Sequence, residues 1–195
     1  GQRFVDEGPG PTDETYESVT REINAQPGGI AYAILDTTVA KVKHPESVVR
    51  SEVLPVQADT LAGLAQQLKI PAEALEATVA AYNKACQAGT YNEADMDGLA
   101  TKGIAPRKSN WARPIAKPPY IAYPIIASVV LTFGGLRVTP RAQVVNQQGD
   151  VIPGLYAAGE TMGLYYRNYT GATSVMKGLV FGRLAGIDAA ERLRG

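Results

Sequence analysis

The stretch from Gly154 to Gly186, GLYAAGETMGLYYRNYTGATSVMKGLVFGRLAG, constrains the fold most, because it reads as a short strand, a polar and aromatic loop and a long helix in succession. Leu155, Tyr156, Ala157 and Ala158 form an unbroken apolar run between Gly154 and Gly159, the pattern of a strand buried on both faces. Glu160 follows where such a strand ends, which puts a carboxylate at the carboxyl edge of a sheet, where open α/β sheets bind ligands. Thr173 or Ser174 can cap the helix. Its apolar positions Met176, Leu179, Val180, Leu184 and Ile187 recur at the helical period and predict its buried face, with Arg183, Arg192 and Arg194 toward the favourable C-terminal end. Gly171 and Ala172 are small enough for a ligand to approach the first free N–H groups, which carry positive partial charge. A Gly-rich turn leading into an ordinary core helix is the alternative.

At 195 residues the chain has room for one large or two small domains and for a real core. Its 19 basic and 19 acidic residues cancel, so nothing points to a nucleic-acid partner. The single cysteine, Cys86, excludes an internal disulfide framework and fits a reducing, cytoplasmic compartment. No apolar run approaches the roughly 18 residues a bilayer span needs, and no signal peptide opens the chain. It begins on GQRFVDE without an initiator Met and reads as the middle of a longer protein.

Upstream, Arg3 to Val5 is strand-like, and a helix is predicted from about Glu14 to Asn24, stopped by Gln26-Pro27-Gly28-Gly29. Ile30 to Leu35 predicts a strand with Asp36 at its exit. His44, the only histidine, precedes Pro45 in a charged loop, and no Ser, Cys or second His is placed to make it catalytic. Asp59 or Thr60 caps a helix carrying Leu61, Leu64, Ala65 and Leu68, and Pro71 opens the next at its first turn. Leu75, Val79, Tyr82 and Cys86 make that helix's buried stripe, on which Cys86 is a small core hydrophobe, and Gly89 closes it. Thr90 to Pro119 is rich in Gly, Pro, Lys and Asn around Trp111, a length that marks a functional loop or a domain crossing. Ile121 to Thr132 is β-branched and re-enters a sheet. Leu136 to Thr139 resumes it after Gly134-Gly135, and Ala142 to Val145 with Gln147-Gln148-Gly149-Asp150 reads as a strand and turn.

The segment TFGGLRVTPRAQVVNQQGDVIPGLYAAGETMGLYYRNYTGATSVMKGLVFGRLAG resembles the C-terminal part of the flavoproteins that include fumarate reductases, succinate dehydrogenase flavoprotein subunits and 3-ketosteroid dehydrogenases. RFVDEG, SNWARPI, PPYIAYPI and the NYTGATS loop resemble the tricarballylate dehydrogenase branch, and the resemblance covers essentially the whole chain. It implies an α+β fragment of an α/β parent: residues 1–122 as a substrate-covering capping domain with its connections, and 123–195 as the C-terminal strand-helix part of a Rossmann-like FAD-binding domain. The Gly-x-Gly-x-x-Gly fingerprint that receives the FAD pyrophosphate is absent from this sequence. The expectation is therefore that FAD serves the intact parent, that the missing N-terminal FAD-binding part is the chain's partner, and that the fragment alone retains little FAD and no activity.

The resemblance assigns cofactor contacts to Phe133, Gly134, Gly159, Glu160, Ser174 and Val175. Glu160 matches the carboxylate on ribityl or ribose hydroxyls, Ser174 and Val175 match N–H groups facing the flavin C2 carbonyl, and Phe133-Gly134 match an element along the isoalloxazine ring. It assigns Thr132, Gly171 and Ala172 to the substrate, and Arg167 and Tyr169 to catalysis on a small carboxylate or carbonyl compound. The implied chemistry exchanges a hydride with flavin N5 and a proton at the carbon next to a carboxylate or carbonyl, in either direction. Fumarate reductases carry an Arg where Tyr169 stands, a His where Leu131 stands, and an Arg in the region that is GPGPTD here. Those departures weaken a dicarboxylate clamp, since Arg pairs hold carboxylates. Tyr169 resembles a ketosteroid dehydrogenase tyrosine that assists at the substrate carbonyl.

Overall fold

A computed structural model describes residues 1–42, 53–129, 131–166, 169, 171 and 173–194. Helices and antiparallel sheets are mixed, and the chain divides into two units, Gly1–Ala127 and Ser128–Gly195. The division expected at 122/123 falls within a strand that belongs entirely to the first unit.

The first unit runs α1 (Thr12–Asn24), β1 (Ile30–Leu35), β2 (Val56–Ala58), α2 (Leu61–Leu68), α3 (Ala72–Ala85) and β3 (Tyr120–Ile126). The sheet order is β1-β3-β2, with Ala33 opposite Tyr123 and Val56 opposite Ala122. The chain thus returns from the far end of the unit to lay β3 between its two earlier strands. Thr60 caps α2 by accepting the Gly63 N–H at 3.0 Å, as its position predicts. That start sets the helix phase: Leu64 and Leu68 pack on Ala122 of the central strand, while Ala65 meets Leu75 and Val79 of α3. Pro71 stands at the N-cap of α3 rather than inside its first turn. Cys86 lies past the end of α3 and is half-buried, where a core position was expected, because Ala85 takes the last buried place on the stripe and Cys86 turns away to bridge Thr101. Arg3 to Val5 forms no strand; instead Arg3 reaches Glu7 at 2.9 Å and Asp6 accepts the Ser109 N–H at 3.0 Å, so this segment is tied to the long loop by side chains.

Asp36 organises the exit of β1. Its buried carboxylate accepts N–H groups from Thr38 at 2.9 Å, Ala116 at 2.8 Å and Lys117 at 3.0 Å, fastening the end of β1 to the chain entering β3. Desolvation pushes its pKa up, but the hydroxyl and N–H donors outweigh it and hold the group below the ordinary carboxylate range.

The second unit holds β4 (Gln143–Val145), β5 (Val151–Tyr156) and α4 (Thr173–Arg194). The β4–β5 hairpin closes where Asn146 and Asp150 bond each other, with the Asn146 N–H on the Asp150 carbonyl at 2.8 Å. Val138 bridges Val144 of β4, with Arg137 and Thr139 also hydrogen-bonded to that strand, Leu136 bridges Met162 beyond the hairpin, and the strand expected to reach Thr132 ends at Ile126. Two expectations about burial fail in whole or in part. Of the run Leu155 to Ala158 before Glu160, Ala157 is buried but Leu155 is exposed, and β5 is exposed from Val151 to Leu155. The apolar stripe of α4 likewise faces outward, with Met176, Leu179, Val180 and Ile187 exposed, while Lys177 and Asp188 are buried. Phe181 from this inward face joins a small core of Val144, Ala157 and Met162.

Asp36→Ala would orphan three N–H donors in the first unit and should lower its stability by about 3 kcal/mol. Urea unfolding followed by the fluorescence of Trp111 measures this, and Asp36→Asn, which keeps one acceptor oxygen, should lose less.

Candidate cofactor site

After β5 the chain makes a single 3-10 turn, Gly159–Thr161, which Gly159 enters at φ +66°. That left-handed angle suits glycine and turns the next residue, Glu160, out of the strand direction. Two other segments then meet Glu160. The Thr132 N–H donates to Oε2 at 3.1 Å, and the Thr132 hydroxyl donates to the Glu160 carbonyl at 3.3 Å. From α4, Lys177 places Nζ 3.0 Å from Oε1. Together the Thr132 N–H and the Lys177 ammonium hold the Glu160 carboxyl below its ordinary range.

The strip that carries Thr132 approaches the turn through glycines. Leu136 donates to the Thr161 carbonyl at 2.9 Å and Gly163 to the Leu136 carbonyl at 3.1 Å. A Cβ on Gly135 would lie 2.5 Å from the Gly163 nitrogen, so no side chain fits at this crossing.

An aromatic group lines the start of α4. The Phe133 and Tyr165 rings meet edge-on at 6.1 Å between centroids, and Tyr165 and Tyr169 at 5.2 Å and 84°. Tyr165 donates to the Thr173 hydroxyl at 2.8 Å. The Tyr169 hydroxyl lies 2.8 Å from Ser174 Oγ and accepts the Ser174 N–H at 3.3 Å. The Lys177 ammonium sits 4.6 Å from the Tyr165 ring centre.

The far end of α4 is fixed by Asp188. It receives the Tyr156 hydroxyl at 2.6 Å and the Gln143 amide at 2.9 Å and pairs with Arg141 at 2.5 Å, while Arg141 also reaches Glu191. The Tyr156 hydroxyl, with Arg141 and Gln143 adding to it against the opposing effect of desolvation, keeps Asp188 below the ordinary carboxylate range.

Thr132, Phe133, Glu160, Tyr169 and Ser174 are thus gathered around one helix start. Gly134 and Gly159 border open space, a Cβ on either meeting nothing within 4 Å. Val175 is exposed on the first turn of α4, and Gly171 is an exposed turn residue. Arg167 and Ala172, like His44, lie outside the described residues. Of the two N–H groups assigned to a flavin carbonyl, that of Ser174 is directed at Tyr169. Sequence reasoning missed Lys177, while Tyr165 packs in an aromatic cluster with Tyr169, as the run of tyrosines in this loop suggests. The signal for Lys177 was a cation standing beside an apolar stripe near the positive end of a helix, where a charge of that sign is unfavourable.

A cavity of about 620 Å³ in the first unit is mostly apolar, lined among others by Phe4, Ile23, Tyr32 and Tyr82. The acids and Arg3 on its wall are already engaged, Arg3 with Glu7 and Asp36 with backbone N–H groups, so the convergent chemistry lies at Glu160 instead.

Residues 1–175 match the family described as FAD binding domain. A fumarate reductase (cytochrome) of Shewanella frigidimarina is 34% identical over 193 residues, covering 98% of this chain and 31% of that protein. The chain belongs to the FAD-dependent fumarate reductase flavoprotein family. An NADH:acrylate oxidoreductase of Vibrio harveyi is 34% identical over 98% of this chain and 18% of that protein. The solved 3-ketosteroid Δ1-dehydrogenase of Sterolibacterium denitrificans, in complex with 1,4-androstadiene-3,17-dione, superposes with a TM-score of 0.69 at 26% identity, covering 98% of this chain and 37% of that one. The chain therefore spans between about a fifth and a third of the length of the curated relatives named.

FAD is the cofactor of this flavoprotein family. The donor set at Glu160 suits a polyhydroxy chain: each carboxylate oxygen has one protein donor, the side chain is 41% exposed, and a carboxylate accepts about four hydrogen bonds in all.

Because Asp188 is depressed in the folded state, its contribution to stability is complete above about pH 4, the unfolded value, and is lost as pH falls through the lower folded value. Asp188→Asn should lower the melting temperature at pH 7 and flatten its dependence on pH below about 4, as thermal unfolding by circular dichroism would record.

Proposed function

We propose that the chain is the capping domain and the C-terminal part of the FAD-binding domain of an enzyme that reduces, or in reverse forms, a C–C double bond next to a carboxylate. The observation that carries this reading is the exposed, ionised Glu160 beside Gly159 and the α4 start, in a chain whose relatives include enzymes named for fumarate and acrylate. The first unit is the cap, and the second is the strand-helix end of the Rossmann-like domain. The exposed apolar faces of β5 and α4 take the N-terminal FAD-binding part as their partner, which explains large apolar residues left outside in series. Without that part the chain retains little FAD and is inactive. The compartment we assign is the cytoplasm, consistent with one unpaired cysteine.

FAD, when bound, supplies the hydride exchange. The chain's own groups do the rest. Glu160 accepts cofactor hydroxyls, and the start of α4 favours negative charge nearby. Arg167 anchors a substrate carboxylate as a charge-assisted donor, and Tyr169 donates to a carboxylate or carbonyl oxygen. Thr132, Gly171 and Ala172 border the substrate. The favoured substrate is a tricarballylate-like tricarboxylate or a dicarboxylate.

A 3-ketosteroid substrate is the second reading. It is favoured by Tyr169 standing at the helix start within an aromatic group, and by the structural likeness to a steroid dehydrogenase.

Mixing the oxidised full-length flavoprotein anaerobically with tricarballylate, succinate or a 3-ketosteroid should bleach the flavin absorbance with the carboxylates. Bleaching by the ketosteroid alone selects the second reading, and bleaching by none removes both. Arg167→Ala should raise KM for a carboxylate about 10- to 100-fold, the equivalent of losing a hydrogen bond to a charged group, worth roughly 1.5–3 kcal/mol.

A further inference from the structure

Among the described residues Lys177 is the only Lys or Arg that is buried, its side chain fully so. Its ammonium faces three groups: the Glu160 carboxylate at 3.0 Å, the Met162 carbonyl at 3.5 Å and the Tyr165 ring at 4.6 Å. All three belong to the short segment after β5, so one cation gathers the whole turn onto α4. Energetically this is an expensive choice. An ammonium removed from water is desolvated, and near a helix N-terminus it also opposes the macrodipole. If the only task were to pack α4 against the turn, an apolar side chain of similar length would do it at lower cost.

The ammonium does what a methyl group cannot, which is to hold one particular oxygen of Glu160. Oε1 is taken by Lys177 and Oε2 by the Thr132 N–H, so the carboxylate is gripped at both ends while it stays partly exposed. We propose that Lys177 is a positioning residue for FAD, fixing the Glu160 carboxylate in the single orientation in which it accepts the cofactor's hydroxyl groups. The inference rests on the assignment of Glu160 to those hydroxyls. Neither strand pairing nor the aromatic group could replace it, because Thr132 alone leaves the carboxylate free to rotate about its remaining bonds.

The test is FAD affinity in the full-length apoflavoprotein, measured by quenching of FAD fluorescence for the wild type, K177M, K177R, E160Q and the K177M/E160Q double variant. K177M should bind FAD about 10- to 100-fold more weakly, and the double variant should bind no more weakly than E160Q alone, because both changes remove one interaction. K177R should recover part of the loss. K177M removes one of the two donors that hold the Glu160 carboxyl below its ordinary range, so as pH is lowered its FAD affinity should begin to fall at a higher pH than the wild type's. A purely structural lysine would not produce that pH profile. Should K177M fail to fold by circular dichroism, K177Q carries the same measurements. Wild-type FAD affinity in K177M, alongside weakened binding in E160Q, overturns the role of Lys177 and leaves the site in place. Undiminished binding in E160Q overturns the site assignment and this inference together.

Discussion

Three pieces of chain that are distant in sequence meet at one carboxylate. Glu160 brings its own turn after β5, Thr132 brings the strip that precedes the hairpin, and Lys177 brings the start of α4. Each partner is a donor to a different oxygen, so the contact fixes direction as well as distance. The Gly135–Gly163 crossing lies alongside and depends on the same approach, since the strip cannot lie against the turn unless both backbones are bare. Asp188 fixes the opposite end of α4 by the same device, with hydrogen bonds from Tyr156 and Gln143 and an ion pair to Arg141. The second unit is held by polar clasps at two points on one helix, with only a small apolar core between them.

The first unit uses the device differently. Asp36 is an acid at a strand exit, as Glu160 is, but it is buried and its donors are three backbone N–H groups and one hydroxyl. Such an acid is spent on architecture. Glu160 is partly exposed and has acceptor capacity left over, which fits the ligand-binding role proposed for it.

Local rules read well from the sequence where the information is local. The strand Ile30–Leu35, the Thr60 cap and the hairpin turn before Asp150 each depend on neighbours a few residues away, and each appears where its pattern predicts. The inward face of α4 did not read correctly, because periodicity identifies an apolar stripe without saying whether a layer exists to cover it. The buried face instead follows Lys177, Phe181 and Asp188, whose partners named above are 12 to 47 residues away and leave no periodic trace. Glu160 was legible from its place after an apolar run. Its grip by Lys177 was not, since a lysine beside an apolar stripe usually signals a solvated edge.

The difference between a tyrosine and an arginine at position 169 reaches beyond size. An arginine has no acceptor, so at that place it could not receive the Ser174 N–H and would set a cation against the positive end of α4. The Tyr169 hydroxyl both donates and accepts, and it does accept that N–H, at 3.3 Å. The helix start is therefore satisfied by a neutral group, which can also donate to an oxygen of a ligand without bringing charge. Charge for a carboxylate must then come from elsewhere in the same loop, and Arg167 is the cation two residues away in sequence. Under the proposed assignment the discrimination between a carboxylate and a neutral ketone rests on that pair: Tyr169 serves either oxygen, while only the carboxylate gains from Arg167.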